Sequence, residues 1–220
     1  MITDRSRARA PLPAAELSQC AWTDLDMLRP NNWVQIVGVA GAYIDAPDSE
    51  DLEIGHASLD RVRLIGGRLP RLQLTDARLD GCDWSGVDLN DARWRRVRGK
   101  DSRLAGCDAG GATWRDVELA GCHVVGLSLR FSVLLKVSFV ECDLGKLDLT
   151  EARMHTVSFV RCTMSGLRIS NAQLSDVSFR ECEMDGTVGV TSLGGAVVDA
   201  ATLMTLGAPM AREFGISLVP

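Results

Sequence analysis

The hexapeptide VSFVEC begins at Val137, VSFVRC at Val157 and VSFREC at Val177. A near-identical segment returning every twenty residues is the tightest constraint in this chain, because a fixed period implies one unit stacked on itself. Beneath the twenty lies a five. Cut from Leu52, the chain reads LEIGH, ASLDR, VRLIG, GRLPR, LQLTD, ARLDG, CDWSG and VDLND, and the cut runs without insertion or deletion to the end of CEMDG at Gly186, giving 27 units over 135 residues. First and third positions supply 54 sites; none is charged, and all 38 charged residues of the segment fall on the other 81. An unpaired buried charge is costly, so this exclusion points those 54 side chains away from water.

A period of five fits neither an α-helix nor a strand. It fits a chain that turns a corner every five residues. Four corners close a square coil of twenty, and residues n and n+20 then lie above one another at the strand spacing of about 4.8 Å. Val137, Val157 and Val177 form one column by this reading, and Phe139, Phe159 and Phe179 an inner aromatic stack. Trp94 and Trp114 share another core column, with the small residues Gly99 and Ala109 beside them to keep the cross-section filled.

The units ARLDG, CDWSG, VDLND, CDLGK and LDLTE resemble the pentapeptide repeat family, whose pattern is A(D/N)LXX. The resemblance covers about 60% of the chain. It implies an all-β solenoid, a right-handed quadrilateral β-helix of about seven coils and roughly 32 Å in length, followed by a short C-terminal helical segment. The expected division is a flexible N-terminus over 1–16, a cap over 17–51 with one or two repeats out of phase, the shaft over 52–186, and a helical tail over 187–220. Within the cap, residues 33–44 read as strand.

In the tail, Asp199 is placed to cap a helix carrying Leu203, Met204 and Leu206. Gly207 is expected to interrupt it, Pro209 to start a second short helix with Met210 and Phe214, and ISL at 216–218 to add a final strand. These apolar residues either close the last coil or make a homodimer contact. The tail looks like the terminal helix of gyrase-inhibiting pentapeptide proteins from mycobacteria, a resemblance that implies an actinobacterial type and dimerisation.

Composition narrows function mainly by exclusion. Net charge is −5, yet residues 52–186 hold 19 acidic and 19 basic side chains. A neutral shaft argues against nonspecific nucleic-acid binding. The run ARWRRVRGKDSR at 92–103 is offset by columns of alternating sign: Arg96 between Asp76 and Asp116 with Lys136 beyond, Arg63 with Asp83 and Arg103, and Glu141 with Arg161 and Glu181. Arg95 above Arg115 is the exception. No apolar run is long enough to span a bilayer and no secretory leader is evident, so a cytoplasmic location is expected.

Cys82, Cys122, Cys142, Cys162 and Cys182 share one column, with Ser102 in the gap; Cys107 lies on another wall and Cys20 outside the repeat. With no CxxC pair they read as small buried residues rather than metal ligands. His56, His123 and His155 occupy outward positions, with no partner at a spacing that defines a site. No nucleophile elbow, phosphate loop, dinucleotide fingerprint or zinc helix is present. No enzyme, cofactor or metal is expected.

What resists a purely structural reading is a set of apolar residues on solvent positions: Val125, Phe131, Val133, Leu135, Val140 and Val160. A cluster of this kind suggests a contact surface for a protein partner, or cover by the N-terminal segment. The expected role is a non-enzymatic, rigid interaction scaffold. The alternative, implied by family members that bind gyrase and protect it from quinolones, is DNA mimicry. A 32 Å mimic of B-DNA would want on the order of 20 negative charges, whereas this shaft offers one acidic column of Asp88, Asp108 and Asp148.

Overall fold

From Asp51 to Gly186 every fifth residue has a positive φ, between 49° and 73°, and 19 of these 28 residues are not glycine. Such a conformation costs an L-residue on the order of 1 kcal/mol. It is held because the backbone N–H of the same residue donates to the coil above: Arg61 N to Asp80 O at 2.8 Å, Asp101 N to Ala120 O at 3.0 Å, Glu141 N to Val160 O at 2.9 Å. Each corner is therefore a left-handed residue locked by an inter-coil hydrogen bond, and the square cross-section follows.

The computed structural model describes residues 33–35, 38–45 and 47–217. The short strands β1 (Trp33–Gln35), β2 (Val39–Ala40), β3 (Tyr43–Asp45), β4 (Glu53–Gly55), β5 (Ser58–Asp60) and β6 (Arg63–Ile65) come first. Six eight-residue strands follow: β7 (Gln73–Asp80), β8 (Arg93–Lys100), β9 (Thr113–Ala120), β10 (Val133–Val140), β11 (Arg153–Val160) and β12 (Gln173–Arg180). They stack in parallel in the order β7-β8-β9-β10-β11-β12. Each spans two walls of the square and the corner between them. The first wall is centred on Leu74 and the residues twenty above or below it; the second is centred likewise on Leu79. The third and fourth walls are ladders of single bridges, such as Arg63↔Asp83↔Arg103↔His123 and Arg68↔Asp88↔Asp108↔Ser128.

The register is twenty throughout: Val137↔Val157↔Val177 and Phe139↔Phe159↔Phe179 pair directly. Of the 54 first and third positions, all are buried except Gly67, Ala172 and Leu174, which are half-buried. The phenylalanine rings stack at 5.0 and 4.8 Å, and Trp94 on Trp114 at 4.7 Å. Trp84 meets Trp94 edge-on at 88°. A Cβ on Gly99 would lie 2.5 Å from Leu119 Cδ2, so Leu119 from the next coil already fills that gap.

Two expectations about the ends are corrected. The described residues between 33 and 51 do not fall out of phase: Trp33↔Glu53, Val39↔Leu59, Tyr43↔Arg63 and Asp48↔Arg68 keep the same offset of twenty. Val39, Ile44 and Ser49 are buried as third positions. The solenoid therefore has about eight turns rather than seven. The pattern is weak here because Pro47 holds a first position and Ser49 a third. The out-of-phase repeats at 20–28 and the flexible stretch over 1–16 lie outside the described residues.

At the other end Thr187 and Gly189 still occupy inward positions, and a short 3-10 helix (Val190–Leu193) then leaves the coil. Strand β13 (Val197–Val198) pairs with Ser178 and Phe179 of β12. Instead of two helices there is one, α1 (Ala200–Glu213), running through Gly207 and Pro209. Thr202, Leu206 and Pro209 are buried along one face at helical spacing. Packing of that face on the coil end outweighs the local preference to break. Residues Ile216 and Ser217 form no strand.

Helix α1 and the 3-10 helix close the shaft with side-chain oxygens, most of them where a further coil would supply carbonyls, and Thr202 where Ser102 Oγ accepts from Cys82 N within the shaft. Asp199 caps the helix by accepting from Thr202 N at 2.8 Å, and its other oxygen accepts from Glu181 N at 2.7 Å. Thr202 Oγ1 accepts from Cys182 N at 2.9 Å, and Thr205 Oγ1 from Met184 N at 3.0 Å. Glu213 reaches Gly189 N at 3.2 Å, and Ser192 Oγ accepts from Asn171 N at 2.9 Å. Thr202→Val keeps the volume and removes the acceptor for a buried N–H. It is expected to destabilise by about 1–3 kcal/mol, read as a lower urea midpoint with unchanged slope. An unchanged midpoint would show that this bond does not hold the lid.

Candidate functional site

With the interior filled by its own side chains, function must sit on outward positions: the second and fourth residue of each wall and the corners. Second-position aspartates have a local role first. Asp83, Asp88, Asp108, Asp143 and Asp148 each accept, through Oδ1, the backbone N–H two residues on, at 2.9 to 3.2 Å. These are Asx turns that set up the corner. Asp88, Asp108 and Asp148 do share a column on the fourth wall. Arg68 lies 3.6 Å from Asp88, and Arg130 lies 3.4 Å from Asp148. Ser128 and Arg168 complete the column, so it is no continuous acidic stripe.

The columns of alternating sign form ion pairs across coils. Arg96 forks onto both oxygens of Asp76, Arg71 onto Asp51 at 2.7 and 2.8 Å, and Arg161 lies 2.8 Å from Glu141. The Arg96 guanidinium holds the Asp76 carboxyl below its usual range of 3.8.

Each histidine has a single partner in its own column. His123 Nδ1 lies 3.0 Å from Asp143 Oδ2, His155 Nδ1 lies 3.1 Å from Ser175 Oγ, and His56 Nδ1 lies 3.9 Å from Asp76 Oδ2. Each partner is twenty residues on, which the column rule contains. His123 lies on the third wall, His155 on the first, and His56 at a corner. Among the described residues no group of three or more His, Cys, Asp or Glu side chains is arranged for a metal.

The column cysteines are buried, and those at 82, 142, 162 and 182 each donate to a main-chain carbonyl of the coil below; Cys82 reaches Leu59 O at 3.2 Å and Cys142 reaches Leu119 O at 3.3 Å. Ser102 donates likewise to Leu79 O at 2.8 Å, which explains a hydroxyl in a thiol column. Burial pushes the thiols of Cys82 and Cys107 up to about 11. They are small packing groups, not nucleophiles.

The six outward apolar residues do not form one patch. Phe131, at the corner, and Val133 and Leu135, on the first wall, lie together. Val140 and Val160 are stacked at the far edge of the second wall, and Val125 lies on the third, opposite the first. Phe131 is 53% exposed, with the Arg130 guanidinium 5.4 Å from its ring; the other five are half-buried. Beside Val133 and Leu135 the first wall holds a shallow depression of about 350 Å³, lined also by Arg153, Met154, His155 and Leu174. The lid leaves this side of the last coil open, which is why Leu174 is half-buried. In α1, Leu206 is buried and Met210 packs against the core, while Leu203, Met204 and Phe214 face outward. The five tail residues thus divide between closing the coil and a free outer face.

Comparison with known families fits this repeat. A model described as a pentapeptide repeat region matches residues 112–188, and one described as pentapeptide repeats (8 copies) matches residues 57–93, together just over half of the chain. The chain belongs to the pentapeptide repeat family. Nothing in these matches supports an actinobacterial subtype for this pentapeptide repeat protein. No curated relative matches it in sequence.

Similar solved structures include full-length QnrB1, a plasmid-mediated fluoroquinolone resistance protein, at 17% identity and TM-score 0.43, covering 84% of this chain and all of that one. HetL, involved in heterocyst differentiation regulation in the cyanobacterium Nostoc sp. strain PCC 7120, matches at 15% identity and TM-score 0.34, covering 78% of this chain and 91% of that one. Rfr23 from the cyanobacterium Cyanothece 51142 matches at 13% identity and TM-score 0.36, covering 62% and 91%. Nothing about role follows from likeness at this level.

Because Asp76 is held ionised by Arg96, its contribution to this pentapeptide repeat protein's stability is full above the ordinary carboxylate value of 3.8 and is lost as pH falls through its lower folded value. The denaturation midpoint of wild type relative to Asp76→Asn is therefore expected to be constant above about pH 5 and to converge toward about pH 2. A gap independent of pH would remove the ion pair as its cause.

Proposed function

We propose that the protein is a non-enzymatic pentapeptide-repeat scaffold, a stiff rod that presents a wall to a protein partner. The observation that carries this reading is the grouping of Phe131, Val133 and Leu135 beside the depression on the first wall. Apolar residues gathered at an open concavity fit an interface centre better than scattered surface positions do. The expected setting is cytoplasmic, with no cofactor. Cross-linking from cell lysate is the test: a partner recovered with wild type is expected to be lost in Val133→Asp with Leu135→Asp. Unchanged recovery would remove the patch.

DNA mimicry of the kind that binds gyrase draws little support from the fourth-wall acidic column, whose carboxylates serve Asx turns, two of the three beside arginines. A gyrase supercoiling assay separates the readings, with inhibition at micromolar protein expected only of a mimic.

A homodimer through the tail is favoured by one observation. Met204 is 84% exposed and Phe214 67%, on the outer side of a helix whose inner side is already used. Light scattering is expected to return twice the chain mass for wild type and the single mass for Met204→Asp with Phe214→Asp; a monomeric wild type overturns it.

A further inference from the structure

The shaft is neutral as a whole but not wall by wall. On the first wall, outward positions from Gln73 to Ser175 carry Arg93, Arg95, Arg115 and Arg153 and no carboxylate. The third wall, opposite, carries Arg63 and Arg103 against Asp83, Asp143, Glu183 and Asp185. On the other walls cations stand among carboxylates, some in ion pairs across coils, as Arg98 with Glu118, and some, such as Arg63, Arg78 and Arg103, merely sharing their wall with acids. Arg93, Arg95, Arg115 and Arg153 are exposed and make no ion pair among the described residues. Arg95 and Arg115 stand in register on adjacent strands, an arrangement that costs stability in the isolated shaft.

We propose that the first wall, from Arg93 to His155, is the docking surface for an acidic segment of a partner protein that places one apolar side chain in the depression beside Val133 and Leu135. This rests on the scaffold reading and adds the chemistry of the partner. The cations bracket the apolar strand: Arg95 and Arg115 lie on β8 and β9, Val133 and Leu135 on β10, Arg153 on β11. At the coil spacing that is about 14 Å from end to end, the reach of a short extended peptide. The floor is core side chain, Met154 and half-buried Leu174, so an apolar group seated there leaves water. A nucleic acid fits less well. The corners flanking this wall carry Asp91 and Glu151 on one side and Asp116, between Arg96 and Lys136, on the other, and a continuous phosphate backbone would meet the three carboxylates. A peptide can confine its charge to the arginines.

The test uses the full chain and a fluorescein-labelled peptide with three glutamates on each side of a central leucine, read by anisotropy. Saturable binding is expected at about 50 mM salt, weakening several-fold by about 300 mM. Arg95→Glu with Arg115→Glu is expected to weaken it about tenfold or more. The milder Arg95→Gln with Arg115→Gln should fall between, and Arg63→Glu on the opposite wall should leave it unchanged. Replacing the central leucine by serine should weaken binding to wild type and make no difference to Leu135→Ser. No salt-dependent binding, an equal loss in Arg63→Glu, or tighter binding of a single-stranded oligonucleotide of the same charge overturns the inference. A lysate partner lost in Val133→Asp with Leu135→Asp but kept in Arg95→Glu with Arg115→Glu leaves the scaffold standing and removes the acidic segment alone.

Discussion

The backbone hydrogen bond from each coil to the next is the interaction on which the rest of the molecule depends. It fixes the offset of twenty, and by anchoring the corner N–H it holds a left-handed residue at every fifth position, mostly without glycine. Once that offset is set, side chains have no freedom of neighbour. Each inward residue packs on its counterpart twenty away, so phenylalanine lies flat on phenylalanine and tryptophan on tryptophan. Each outward residue likewise meets one residue above and one below, and its charge is matched or opposed there.

A stack of this kind leaves a row of open donors and acceptors at each end, and an uncovered edge invites further strands. At the C-terminal end the chain answers with oxygen-bearing side chains. Asp199, Thr205, Glu213 and Ser192 accept from the last coil what carbonyls accept elsewhere, and Thr202 takes the place that Ser102 holds in the cysteine column. The cover is incomplete over the first wall, where Ala172 and Leu174 stay half-buried. That opening adjoins the depression, so the way the rod is closed also shapes that depression.

Neutrality of the whole shaft conceals how charge is apportioned. The columns make three walls mixed in sign and leave the first, from Gln73 to Ser175, with arginines and no outward carboxylate around an apolar strand. Exposed pairs contribute little to stability, so their larger consequence is to settle which wall retains a field. The carboxylates of the acidic column each cap a turn, and two of the three stand beside arginines.

Sequence alone determined the period, the inward set, the columns and the absence of familiar catalytic motifs, because a charge-free pattern that persists through 27 units has one physical cause: burial at fixed spacing. It also placed the helix cap at Asp199, a local interaction between neighbouring residues. Tertiary structure decided what depends on contacts between separate coils. The described residues between 33 and 51 joined the shaft because strand pairing held them in register where their own pattern was weak. Gly207 and Pro209 stayed helical because the buried face of α1 had a coil to rest on. The apolar residues read as one patch were divided among walls because a square corner sends neighbours in sequence to different sides. The arginines of the first wall became a single surface for the converse reason: stacking brings together residues twenty apart.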